Sequence, residues 1–154
     1  MNTTHSTEII RPTLFVRIVM RPMTRVLNPA IRKFAGKRHF GMAAQIHHVG
    51  RQSGRAYVTP ASARLEGVHF LVPLTFGNIS DWSRNLRAAG EGMIRWKGTD
   101  YLVGEPALIG LPDDPALIRS AFKPHERLVF RVLGIKQFLK LRVVPVTRSR
   151  AAEA

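Results

Sequence analysis

Ile46-His47-His48-Val49-Gly50-Arg51-Gln52-Ser53-Gly54-Arg55-Ala56-Tyr57-Val58-Thr59-Pro60 reads as strand, turn, strand. Apolar and ring side chains suited to a pleated surface precede Gly50, and a β-rich run follows Arg55 and ends at Pro60. The two glycines allow positive φ and a close backbone approach to a ligand. Amide N–H groups in such a turn can converge on an anion. Arg51 and Arg55 add fixed charge and planar forks that suit phosphate or carboxylate. Taken alone, the same string also fits an ordinary basic hairpin loop.

A second segment changes that balance. Pro73-Leu74-Thr75-Phe76-Gly77 is followed by Ser80-Asp81-Trp82-Ser83-Arg84-Asn85-Leu86-Arg87-Ala88. From about His47 to Pro106 the chain resembles the deazaflavin-dependent nitroreductase family. Members of that family often carry a Gly-Arg-Lys-Ser-Gly-x-x-Arg-x-Thr-Pro turn, then a strand, a glycine-containing loop and a Trp-x-x-Asn-Leu helix start. The resemblance implies an α+β fold, a split β-barrel similar to the flavin-reductase-like antiparallel barrels. It also implies binding of the deazaflavin coenzyme F-420 and hydride transfer to a quinone, enone or nitro-type acceptor. By position, Arg51, Gln52 and Ser53 would face the cofactor phosphate and acidic tail, with Arg55 close enough to assist. Pro60 would lie beside the ring, and Leu74, Thr75, Phe76 and Gly77 would form a second wall through their backbone. Trp82 and Asn85 would close that wall from the helix start, although Trp82 equally suits core packing and Asn85 a local hydrogen bond.

Three positions depart from the family pattern. Gln52 stands where lysine is common, Tyr57 where arginine is common, and Phe76 where some members have a basic residue. Ordinary flavins (FMN or FAD), haem-like tetrapyrroles and lipids, all bound by relatives of this fold, therefore stay open as ligands. The resembled family can draw a proton from a tyrosine in its C-terminal part. Here the two tyrosines are Tyr57 and Tyr101, neither in that part, so proton delivery by water is expected and no catalytic residue is assigned.

Working outward, residues 1–11 read as a loose tail and 12–147 as one domain, with a second tail from 148 to 154. Leu14, Phe15, Ile18, Val19, Met23, Val26 and Leu27 recur at helical spacing after Pro12, with Pro22 as a kink. Arg11, Arg17, Arg21 and Arg25 accompany that stripe, and Glu8 is the sole acid before Glu66. Such a basic amphipathic helix can pack on its own barrel or rest on an anionic membrane. Strands are expected over Met42–Val49, Ala56–Leu65 and Val68–Thr75, with a turn at Glu66-Gly67. Ser80 or Asp81 should cap a helix ending near Gly90, and Gly92–Lys97 with Tyr101–Ile109 should form a hairpin about Gly98. Asp113-Asp114-Pro115 should start a helix, Glu126 to Leu133 should form another, and Leu139 to Val146 a final strand.

The chain has 154 residues, 45% of them hydrophobic, enough for one packed core. Its formal net charge of +14 favours anionic partners. Without cysteine it can form neither disulfides nor thiolate metal sites, which suits a cytoplasmic setting, peripheral on the inner membrane face if the N-terminal helix touches lipid. No stretch is long and uncharged enough to span a bilayer. His47 and His48, adjacent on a strand, point to opposite faces and cannot readily share a metal ion. Basic residues without interleaved aromatic rings disfavour nucleic acid. The leading expectation is thus an F-420-dependent reductase, and the alternative is a non-catalytic lipid- or cofactor-binding barrel at the membrane surface.

Overall fold

A computed structural model describes residues 43–145. The expected N-terminal helix, both expected tails and Val146 lie outside the described residues, and the last strand, expected over Leu139 to Val146, runs instead from Gln137 to Val143. Seven strands run in chain order: β1 (Ala43–Val49), β2 (Ala56–Ser62), β3 (Arg64–Glu66), β4 (His69–Pro73), β5 (Glu91–Trp96), β6 (Thr99–Gly110) and β7 (Gln137–Val143). Helix α1 (Asp81–Ala89) joins β4 to β5 after a short 3-10 turn at Gly77–Ile79. Helices α2 (Pro115–Ala121) and α3 (Pro124–Leu133) lie between β6 and β7. Among the described residues, no helix is long and apolar enough to cross a membrane.

All strand pairings are antiparallel, in one sheet of order β2-β1-β5-β6-β7-β4-β3. The two outermost strands, β2 and β3, are consecutive in the chain, separated by the fully buried Ala63. The sheet must therefore curl until its ends meet, and the result is a half-barrel with three helices. The expected continuous strand Ala56–Leu65 is thus two strands broken at Ala63, where the chain turns from one end of the sheet to the other.

Alternation along the strands sorts side chains into two cores. Ala44, Ile46, Phe70, Val72, Leu74, Leu86, Ile94, Val103, Leu139 and Leu141 fill the concave side. Phe70 anchors it, with Trp96 and Tyr101 edge-on at 5.8 and 5.1 Å between ring centroids. On the convex side Leu71, Ile109 and Phe138 meet Ile118 and Phe122, with Phe130 packed against them. Phe122, Phe130 and Phe138 form a triangle of rings 4.9–5.6 Å apart. Strand β4 is covered on both faces, which is why His69-Phe70-Leu71-Val72-Pro73 is nearly all apolar. Full burial of such a side chain contributes about 1.5–3 kcal/mol.

β6 is longer than expected and irregular. Its register on β7 shifts between Gly104 and Ala107, and Glu105 takes a positive φ of 50°. The shift acts as a bulge, so that Val103 and Leu108, five positions apart, both face the concave core. Helix ends follow the expected chemistry in outline. Gly90 and Gly134 close α1 and α3 in the left-handed region, and Asp114 accepts from the Leu117 amide at the start of α2. Glu126 caps α3 by accepting from the Lys123 amide at 2.9 Å, and also pairs with Arg64 of β3.

Candidate functional site

The β1–β2 connection is a six-residue turn, Gly50–Arg55. The Gly50 amide donates to the Arg55 carbonyl at 2.8 Å, and the Gly54 amide to the Gly50 carbonyl at 2.9 Å. Gly54 has φ 66°, as a glycine at that bend allows. At Gly50 the requirement is spatial: a Cβ there would overlap the Ser53 hydroxyl and lie 2.8 Å from the Tyr57 ring. Ser53 and Tyr57 close over the turn, with their hydroxyls 3.1 Å apart, and Ser53 Oγ accepts from the Arg55 amide at 3.3 Å.

This turn is fastened to the start of α1. Asn85 Oδ1 accepts from the Arg51 backbone amide at 3.1 Å and from Arg51 Nη1 at 2.8 Å. Arg51 Nη2 reaches Asp81 Oδ1 at 3.1 Å. Behind them, Asn85 Nδ2 lies 3.1 Å from His48 Nδ1, and His48 Nε2 lies 2.9 Å from Thr59 Oγ1. The His48 ring also stacks on Tyr57, its direct cross-strand partner, at 5.7 Å and 20°. Donor–acceptor logic fixes the tautomer. Since Asn85 Oδ1 is occupied as an acceptor from Arg51, its NH2 donates to Nδ1, leaving the imidazole proton on Nε2 to donate to Thr59. Burial, reinforced by the neighbouring His47, holds the His48 pKa below its usual value of 6.5, and Asp81 opposes this weakly. His48 is therefore a neutral, doubly bonded spacer.

The expected site residues divide between this network and its surroundings. Arg51, Ser53 and Asn85 belong to it. Asn85 is 5% exposed, and its hydrogen bonds join the two segments that carried the family resemblance. Arg51 turns its guanidinium toward α1. Gln52 and the guanidinium of Arg55 take no part in the network and are exposed. Pro60 follows Thr59 in β2, opposite Gln45. Leu74 is a core side chain, and its carbonyl accepts the Gly77 amide at 3.0 Å. Gly77, with φ 70°, opens the 3-10 turn that Thr75 and Phe76 lead into and that delivers Ser80 and Asp81 to the helix start. Ser80 occupies the N-cap, but its hydroxyl donates back to the Gly77 carbonyl. Trp82 packs against the concave core.

No protein-family model matches the chain, and no curated protein does. Several solved structures are similar. One is HutZ, the heme storage protein from Vibrio cholerae, at 16% identity and a TM-score of 0.51, over 77% of this chain and 89% of that one. Another is a domain-swapped dimer at 12% identity and a TM-score of 0.50, over 79% and 99% of the two chains. A third is Atu2129 from Agrobacterium tumefaciens str. C58, of unknown function, at 18% identity and a TM-score of 0.49. That match covers 75% of this chain, which spans 54% of Atu2129.

The chain has a split-barrel-like fold. On this split barrel, sequence reasoning passed over Asp81, His48, Thr59 and Tyr57 as members of one network. The signal for two of them lay in the hairpin: closing it with Gly50 opposite Arg55 puts His48 against Tyr57. The donor set at the rim suits an anion. The Gln52 side chain, the Arg55 guanidinium and the Gln52 and Ser53 amides stand outside the network. A Cβ at Gly54 would meet nothing within 4 Å, so the backbone is open to close approach there. In the second segment, the buried atoms Asn78 Oδ1 and Ser83 Oγ have no hydrogen-bond partner among the described residues.

Proposed function

We propose that this split barrel binds coenzyme F-420 across the β1–β2 turn and the start of α1, and acts as a deazaflavin-dependent reductase of a quinone, enone or nitro-type acceptor. The observation that carries the reading is the Arg51–Asn85 contact, which joins two sequence segments 34 residues apart into one rim. When bound, the deazaflavin supplies the hydride. The chain's own part is binding and orientation. Gln52, Arg55 and the free turn amides hold the anionic portion, and Arg51, turned onto Asp81 and Asn85, sets the attitude of the turn. Tyr57 and Ser53, with their hydroxyls paired, close over the turn. His48, with both ring nitrogens engaged, is not a proton donor, so the proton comes from water.

The test is fluorescence titration of the wild type with F-420, FMN and hemin side by side, followed by turnover with reduced F-420 and a naphthoquinone. F-420 should saturate. Arg55→Ala should weaken it about tenfold and Gln52→Lys tighten it, through loss and gain of a charge-assisted bond. If hemin or FMN saturates and F-420 does not, the reductase reading fails and a cofactor-binding barrel takes its place.

A further inference from the structure

Helix α3 is apolar on both sides. It turns Phe130 inward against Phe122 and Phe138. A rotation of about 100° per residue then aligns Leu128 with Val132 on the opposite side, with Val129 beside them. These three are 57%, 74% and 50% exposed. Leu111 is also exposed, and its amide donates to the Lys136 carbonyl, just past the helix end, at 3.2 Å. An amphipathic surface helix would carry polar groups at these positions.

The charges of α3 and its flanks are mostly of one sign, while Asp113 and Asp114, beside Leu111, are engaged by the Gly110 and Leu117 amides. From Pro115 to Lys136 the sequence contains Arg119, Lys123, Arg127, Arg131 and Lys136, against the single acid Glu126. Glu126 is turned inward and is paired with Arg64. Arg131, exposed, borders the apolar stripe, and Arg127, half-buried, lies one turn before it on the same side. A second copy docked here would set these cations against their own kind, with no exposed carboxylate on α3 to answer them. Residues 1–42 supply no counter-charge either, since they hold Arg11, Arg17, Arg21, Arg25, Arg32, Lys33, Lys37 and Arg38 with Glu8 as their sole acid. An apolar centre with a cationic rim complements anionic headgroups above acyl chains. We infer that the Leu128–Val129–Val132 face of α3 is a docking surface for an anionic lipid bilayer.

The experiment is co-sedimentation of the full chain with vesicles of phosphatidylcholine, with and without phosphatidylglycerol, at low and high salt. The wild type should pellet with the anionic vesicles and be released by salt. Leu128→Ser/Val132→Ser should lower the apparent affinity at least about tenfold through lost apolar burial. Arg131→Glu should lower it about fivefold or more. All three side chains are exposed, so the variants should keep the wild-type melting curve by circular dichroism. Equal pelleting of the double variant and wild type would overturn the assignment and move binding to another surface. So would failure of the wild type to bind either vesicle. A loss of self-association in the double variant, seen by light scattering with vesicle binding unchanged, would make the face an interface between copies instead.

Discussion

Asn85→Ala removes the joint between turn and helix. Three hydrogen bonds go at once: two from Arg51 into Oδ1 and one from Nδ2 to His48. A neutral bond contributes about 1 kcal/mol net, and one from a charged donor about 1.5–3 kcal/mol. The Arg51 side chain is 27% exposed and regains water when released, so its share falls at the low end. His48 Nδ1, by contrast, is left without a partner beneath the stacked Tyr57 ring. Because the bonds act as a unit, they do not sum, and the expected loss is roughly 2–4 kcal/mol. Urea unfolding followed by circular dichroism measures it as a lower midpoint at unchanged slope. Asn85→Asp is the informative companion. It keeps both acceptor bonds to Arg51 while placing a carboxylate at His48 Nδ1, so it should lose less stability and raise the His48 pKa, read by NMR titration. An Asn85→Ala protein within about 0.5 kcal/mol of wild type would refute the joint, since that is the size of an ordinary surface substitution.

Two further outcomes follow from the buried groups. Arg64→Met should cost roughly 2–4 kcal/mol by leaving Glu126 buried without its partner, and Arg64→Met/Glu126→Gln should recover most of that; urea midpoints of the single and double variants decide it. The depressed His48 pKa gives a pH dependence of definite sign. Between the folded-state pKa and 6.5 the unfolded chain binds a proton that the native state refuses, so His48's contribution is full above pH 6.5 and declines as pH falls through that window. His48→Gln should flatten the decline in melting temperature between neutral and mildly acidic pH.

Local patterns were legible wherever one side chain or one turn decides them. Gly90 and Gly134 stop α1 and α3, Asp114 starts α2, and alternating residues in β1 and β5 separate core from surface. What was not legible depends on distant neighbours. The break at Ala63 exists because the sheet must close on itself, and no local residue announces it. The register shift after Gly104 follows from pairing with β7, 33 or more residues later. At the site, the family motif pointed to Arg51 and Asn85 as separate ligand contacts. That they bond to each other, with Asp81 and His48 completing the chain, required the fold that brings the hairpin onto α1.

The position of β7 bears on how the chain is made. It pairs with β6 on one side and β4 on the other, and among the described residues no other strand joins the β2-β1-β5-β6 group to the β4-β3 hairpin. It is also the last of the seven strands to leave a ribosome. Until then β4 and β6 each present an unpaired backbone edge, and Phe70, Leu71 and Val72 lack the part of their cover that Phe138, Leu139 and Leu141 supply. A nascent chain stalled before Gln137 is thus two incomplete sheets with sticky margins, the state in which strand proteins aggregate or recruit chaperones.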